Sequence, residues 1–335
     1  MTLEGVLGPN NRLEEARGIP IESPDALCVG ADGRLFVSAG RSVLYLGKWG
    51  EAPQGYAEFE RPVTALASSK SGMLAVGTLG GDLQVCDGSG RALSGWRPPA
   101  DLKAAADVLF LSENELAVVD HGYKPDEPLL SVAPWDDVGR GRLIVARRDG
   151  EPRILASGLN CPMGVSLDGH GAPIVTEFER ARIVDASGAV RQAGYPGYLG
   201  RLRKAGNGYV LACLSRRDPL IEFLKTEPAF VDAMKTTIAP RHWIAPRVSP
   251  EFAHDFPIEL GATRLFGEIK PWAPSFSYGL LIELNDALMP VGSAHSRADG
   301  CRHAISDALV WNGDLVAVSK ASAELLNLGS ARGAA

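Results

Sequence analysis

One unit recurs along this chain and limits its fold more than any other feature: a turn-rich opening, a short apolar strand, a Gly/Asp/Asn turn and a second apolar strand. It runs first as Ser23–Leu46 and again as Pro62–Arg91. A third copy spans Ala105–Gly122, with its outer strand displaced to Gly141–Gly150, and a fourth spans Cys161–Val190. The fifth opens at Tyr195, continues through the apolar run Tyr209–Cys213 and is completed by Ser277–Ser293; the sixth is Ala304–Gly329. Copies of a strand meander at intervals of about 40–60 residues predict an all-β, six-bladed β-propeller. Turns at Asp32–Gly33, Ser71–Gly72, Asp168–Gly169, Asn207–Gly208 and Asn312–Gly313 supply residues that tolerate positive φ. A doubly wound α/β fold needs a helix after each strand, and the pattern offers none.

The fifth copy is interrupted. Phe223, Phe230, Met234 and Ile238 recur at near-helical spacing, and Pro240 and Pro246 close the run. This predicts a helical and aromatic cap inserted in the fifth blade, over about residues 222–276. A second insertion, Lys124–Asp137 in the third copy, carries three prolines and reads as an ordered loop over one face. Tyr123, Trp135, Trp243, Phe252, Phe256, Trp272, Phe276 and Tyr278 lie in or beside these insertions and suit packing under a cap. The expected organisation is one propeller domain over residues 1–335, with residues 330–335 a frayed tail.

At 335 residues, 45% hydrophobic and net charge -6, the chain has ordinary globular composition and lacks the basic footprint of a nucleic-acid binder. No apolar run approaches the ~20 residues that span a bilayer, so no membrane partner is expected. The opening residues show no basic region followed by an apolar one. The five cysteines are scattered singly, without a CxxC, which fits reduced thiols in a cytoplasmic protein. Cys28, Cys86 and Cys213 sit in apolar runs and read as small buried hydrophobes.

Several stretches resemble the strictosidine synthase-like group of six-bladed propellers, relatives of the gluconolactonase/senescence-marker proteins and the paraoxonases. The matching pieces are Tyr195–Pro196–Gly197–Tyr198, Gly208–Tyr209–Val210–Leu211–Ala212, Ser215–Arg216–Arg217 and Glu227–Pro228–Ala229–Phe230. His295–Gly300 with Gly313–Asp314–Leu315, and Ser23–Pro24 with Gly33–Val37, resemble the last and first blades of that group. In its metal-dependent members a divalent ion sits on the axis, held by a first-blade Glu and by Asn/Asp residues at inner-strand starts. The resemblance places Glu22 at the Glu position, Ala106 and Met163 at two Asn positions, and Gly200 and Arg201 at an acid–amide pair. A methyl, a thioether, a hydrogen and a guanidinium cannot hold calcium, which wants several oxygen ligands. The resemblance therefore implies a lost axial metal site, no cofactor, and Arg201 as a fixed cation where the ion would sit; a calcium-dependent lactonase or esterase is the alternative if the correspondence is shifted. The catalytic Glu of strictosidine synthase falls at Ser306, whose hydroxyl cannot replace a carboxylate base at neutral pH.

In such a propeller, residues just before each inner strand and just after the next strand ring one mouth. The starts supply Glu22, Asp107, Met163, Arg201, Ser306 and Asp307; the returns supply Arg41, Asp120, His121, Glu177, Arg216 and Lys320. Convergent ionisable groups in one pocket form the default site. His121 is a candidate general acid–base, or else bonds a loop carbonyl beneath the Lys124–Asp137 insertion. Glu177 is a candidate catalytic carboxylate, or else pairs with Arg180 or Arg182; Asp107 is a further candidate. Glu22 binds substrate or pairs with Arg201. Arg201, Arg216, Met163, Ser306, Asp307 and Tyr123 complete the expected binding surface. Cys301 and His303 lack further ligands at zinc spacing, and Gly77–Gly81 closes a hairpin and opens no helix. The expectation is a metal-independent enzyme acting on a small organic molecule in the axial pocket, by hydrolysis, cyclisation or addition. A non-catalytic small-molecule binder and a protein-interaction propeller are the alternatives.

Overall fold

In a computed structural model, which describes residues 3–97, 99, 101–249, 264–265, 268–269 and 276–331, six antiparallel sheets stand around a central axis. Their innermost strands are Pro24–Val29, Val63–Ser68, Asp107–Ser112, Pro162–Leu167, Gly197–Ala205 and Ile305–Trp311, one for each sequence repeat. Successive strands of each blade pair outward. The second blade has three strands among the described residues, and the others have four. This is a six-bladed β-propeller.

The ring closes through a strand absent from the repeat pattern. Arg17–Pro20 pairs antiparallel with Glu324–Ser330 as the outermost strand of the sixth blade, so the two ends of the chain share one sheet. Arg302 fastens the segment ahead of that strand by donating to the carbonyls of Leu13, Glu14 and Ala16, and Leu13 is fully buried against the fifth and sixth blades.

Packing follows the same rotational logic. Six apolar clusters each fill the space between two neighbouring blades, as where Val85 of the second blade meets Val108 and Ile144 of the third. Alternation along a strand sends successive residues to opposite faces, so each blade feeds two of these clusters. Approach is close: a Cβ on Gly77 would fall 2.4 Å from the Ala105 Cβ of the next blade.

Above the axis lie two insertions. The third blade contributes helix Leu129–Val132 and the 3-10 turn Ala133–Trp135. The fifth contributes helices Pro219–Leu224 and Pro228–Thr237 between its second and third strands. Asp218 caps the first of these two helices by accepting from the Leu220 amide at 2.8 Å. Trp135 donates to the Ile244 carbonyl at 2.7 Å and packs with Ile221, Met234 and Phe276, which ties the insertions together. Phe252, Phe256, Trp272 and most of residues 250–275 lie outside the described residues, as do residues 332–335 of the expected tail.

Candidate functional site: a guanidinium on the propeller axis

Five of the six inner strands begin irregularly, and that irregularity builds the site. The ladder skips between Pro24 and Leu27, Val63 and Ala65, Pro162 and Gly164, Leu199 and Leu202, and Ile305 and Asp307. A bulge leaves its extra residue unpaired and turns its backbone groups away from the partner strand. The residues left over are Asp25, Thr64, Met163, Gly200 with Arg201, and Ser306. With Ala106, just before the third inner strand, they ring the axis.

Arg201 reaches across this ring. Its Nη1 donates to the carbonyls of Asp25 (2.9 Å) and Ser306 (3.1 Å) and to the Asp25 carboxylate (3.1 Å). Its Nη2 donates to the carbonyls of Thr64 and Ala106, the latter at 2.9 Å. Carbonyls from four blades thus point at one cation that is 4% exposed. Below it Arg203, two residues along the same strand and hence on the same face, grips Asp107 with two hydrogen bonds of 2.7 and 2.8 Å and Asp307 with one of 2.8 Å. Asp107 also accepts from the Val165 amide, and Asp307 from those of Leu27 and Ala308. Burial opposes charge on Arg203, but Asp107 and Asp307 hold its pKa above the usual guanidinium value.

A divalent ion on this axis does not fit. The carbonyls that would ligate it are taken by Arg201, and the nearby carboxylates of Asp25, Asp107 and Asp307 are paired with Arg201 and Arg203. Among the described residues no group of three or more His, Cys, Asp or Glu side chains is placed to hold a metal.

Over Arg201 lies a cavity of about 210 Å³ whose walls are mainly apolar, with Leu79, Leu129, Leu130, Leu214 and Val248 among them. Among the described residues four ionisable groups face it: Asp25, His121, Arg201 and Lys320. Lys320 Nζ lies 3.0 Å from Asp25 Oδ2. Burial alone would raise the Asp25 pKa, yet Lys320 and Arg201 together hold it below the ordinary carboxylate value. His121 Nδ1 accepts the Tyr123 amide at 3.0 Å, so the proton of the neutral ring sits on Nε2. Burial lowers the His121 pKa to about 4 against the pull of Asp120 and Glu127, which leaves a neutral donor near pH 7.

The cavity therefore gathers His121, Met163, Arg201, Ser306 and Lys320 from the expected set and leaves out the rest. Glu22 is exposed and makes no pair with Arg201; Asp25, three residues on, takes that place. The offset follows from Ser23, whose positive φ turns the chain between them. Glu177 is 1% exposed and held by Arg182 and the Asn160 amide. Asp107 and Asp307 lie under Arg201 in ion pairs and do not line the cavity. Tyr123 packs beneath the third-blade insertion and donates to Asp136 at 3.0 Å, and Arg216 stacks over the Tyr278 ring. Asp120 is committed to Arg142 at 2.6 Å. His295 and His303 are buried, each ring bonded at both nitrogens. Sequence reasoning missed Asp25 and Arg203; the two-residue spacing from Arg201 was the signal for Arg203.

No protein-family model matches the sequence, and no curated protein matches it. Solved structures resemble the fold. One is a protein assigned as a gluconolactonase: 11% identity, 94% of this chain and 92% of that one covered, TM-score 0.55. Another is the β-propeller domain of Cps50 (Swd1) from Myceliophteria thermophila: 10% identity, 94% and 99% covered, TM-score 0.52. At such identities the likeness is one of fold, and the chain is a six-bladed propeller whose axis carries Arg201.

Proposed function

We propose that this propeller is a metal-independent enzyme acting on a small, mostly apolar carbonyl compound of the lactone or ester class. The observation that carries the reading is the convergence of Asp25, Lys320 and His121 on one apolar-walled cavity above the Arg201 cation. The gluconolactonase name of one fold neighbour favours the same class. In this reaction the carbonyl oxygen gains negative charge, stabilised by the His121 Nε2–H, while Lys320 and Arg201 hold Asp25 ionised. Water oxygen bonds to the carbonyl carbon and passes its proton to Asp25. The bond to the leaving oxygen then breaks, and that oxygen takes the proton back from Asp25. Asp25, held below the ordinary carboxylate pKa, is a weak base, so an activated ester or strained lactone suits it and an amide does not.

The test is hydrolysis of a panel of lactones and aryl esters, assayed in parallel with calcium and with EDTA. Equal turnover in both, lost in His121→Ala and Asp25→Asn, supports the reading. Turnover that requires calcium overturns it. A second reading, a non-catalytic binder, is favoured by the commitment of both bases: Asp25 to two cations and His121 Nδ1 to a backbone amide. Saturable binding without turnover of any panel member would select it.

A further inference from the structure

The axial charges form one closed set. Lys320 touches Asp25 at 3.0 Å and Asp25 touches Arg201 at 3.1 Å; Arg201 Nε lies 3.6 and 3.8 Å from Asp107 and Asp307. Arg203 closes the set through both of those carboxylates. Three carboxylates thus face three cations, and His121 adds no charge near neutral pH. The rest of the cavity wall consists of apolar residues with Thr64 and Ser306, whose hydroxyls donate to the carbonyls of Ala105 and Asp25.

We infer that the cavity selects an uncharged ligand with an apolar body and one hydrogen-bond acceptor, and that Asp25 is the residue that enforces this selection. This deepens the proposed function by assigning its substrate class a charge. Lys320 and Arg201 would otherwise offer an anion two cations, but Asp25 sits between them and engages both. An anion entering the cavity meets the Asp25 carboxylate and, among the described residues of the wall, finds no spare positive charge. A cation finds the carboxylate already paired. Either ion gives up its hydration without a counter-charge in return, whereas a neutral acceptor loses little and gains the Nε2–H of His121. The reasoning also applies to a product acid, which is expelled as it forms.

Calorimetric titration of the intact protein at pH 7.5 with three matched probes tests this: acetophenone, benzoate and benzamidine. The wild type should bind acetophenone at least about tenfold more tightly than either ion. Asp25→Asn releases Lys320 and should raise benzoate affinity about tenfold or more, and Lys320→Met should instead raise benzamidine affinity. Lys320 is one-third exposed, so its variant decides the matter if Asp25→Asn does not fold. Wild-type protein that binds benzoate as tightly as acetophenone, or that binds no probe, overturns the inference, as do variants whose charge preference does not move in these opposite directions. Ester turnover with equal binding of acetophenone and benzoate would sink the inference and leave the proposed function. Acetophenone preference without ester turnover would do the reverse.

Discussion

Arg201 Nη1 lies 2.9 Å from the carbonyl oxygen of Asp25 and 3.1 Å from its carboxylate, so one nitrogen meets both acceptors of a single bulged residue. The same guanidinium reaches three more blades. Replacing Arg201 with Met would leave buried carbonyls without donors and remove a cation from among Asp25, Asp107 and Asp307. The expected cost is about 3–5 kcal/mol of unfolding free energy, read from the shift in a urea midpoint at unchanged slope. Arg201→Lys keeps the charge but not the fork, and should recover only part of that loss. A Met variant as stable as the wild type would mean that the axis is held by packing alone.

Gly164 tests how tightly the fourth blade sits against that centre. A Cβ there would lie 2.7 Å from Arg201 Cα and 3.0 Å from both Gly200 O and Leu202 N, all backbone atoms that cannot swing aside. Gly164→Ala should therefore destabilise by about 1–3 kcal/mol. Gly169→Ala is the control: nothing lies within 4 Å of its Cβ, and its midpoint should move far less.

Glu179 gives a pH signature. It is 3% exposed, with Arg180 Nε at 3.0 Å and Lys225 Nζ at 3.8 Å. Burial outweighs both cations and raises its pKa from 4.5 to about 7. The folded state thus holds this proton more tightly than the unfolded state does. The associated stability is fully present below pH 4.5 and is lost as pH rises through about 7. The span corresponds to roughly 3 kcal/mol. Urea titrations at pH 5 and pH 8 should show this decline in the wild type and a flatter profile in Glu179→Gln, which should be the more stable protein at pH 8. Parallel profiles would show that Lys225 and Arg180 keep Glu179 ionised.

Much of the fold was legible because strand, turn and strand recur with their hairpin residues intact: all six inner strands begin within the repeats read from the sequence. The closing strand was not. Arg-Gly-Ile-Pro has too few residues and no alternation to signal a strand, and it is one only because Glu324–Ser330 offers it a free edge. The site was half legible for a related reason. Ala106, Met163, Arg201 and Ser306 were aligned at inner-strand starts, and these positions do ring the axis. Within five of the six starts, however, a bulge decides which residue turns inward, and a bulge has no composition of its own. Glu22 and Asp25 are equally acidic in a sequence; only the turn at Ser23 and the skipped pairing after Pro24 distinguish them.

The closing strand leads to a prediction of its own. Removing residues 1–20 would unpair Glu324–Ser330, withdraw Leu13 from the core and leave Arg302 without its three carbonyl acceptors. Since the strand joins the N-terminal segment to the sixth blade, the loss should be global. Thermal unfolding should lose its cooperative transition, or shift it down by more than about 10 °C. Adding a peptide of residues 1–20 in trans should restore part of the transition; a truncated protein that melts like the full chain would show that the ring closes through its inner strands alone.

His121 supplies the last prediction, in the shape of a pH–rate profile. With Nδ1 occupied by the Tyr123 amide, the ring can polarise a carbonyl through Nε2–H but has no lone pair free to accept a proton from water. Protonation turns Nδ1 from acceptor to donor against the Tyr123 amide N–H and displaces the ring, so kcat/KM should be flat from pH 5.5 to 8 and fall on the acid side near pH 4. His121→Ala should lower kcat by about 10²–10³, the usual loss for one donor to a developing oxyanion. His121→Gln keeps an N–H donor and should retain more of the rate, and its acid limb should move to lower pH, where Asp25 takes up a proton. An acid limb near 6.5 in the wild type, absent from His121→Gln, would instead identify a hydrated imidazole acting as a base, and the roles of His121 and Asp25 would have to be exchanged.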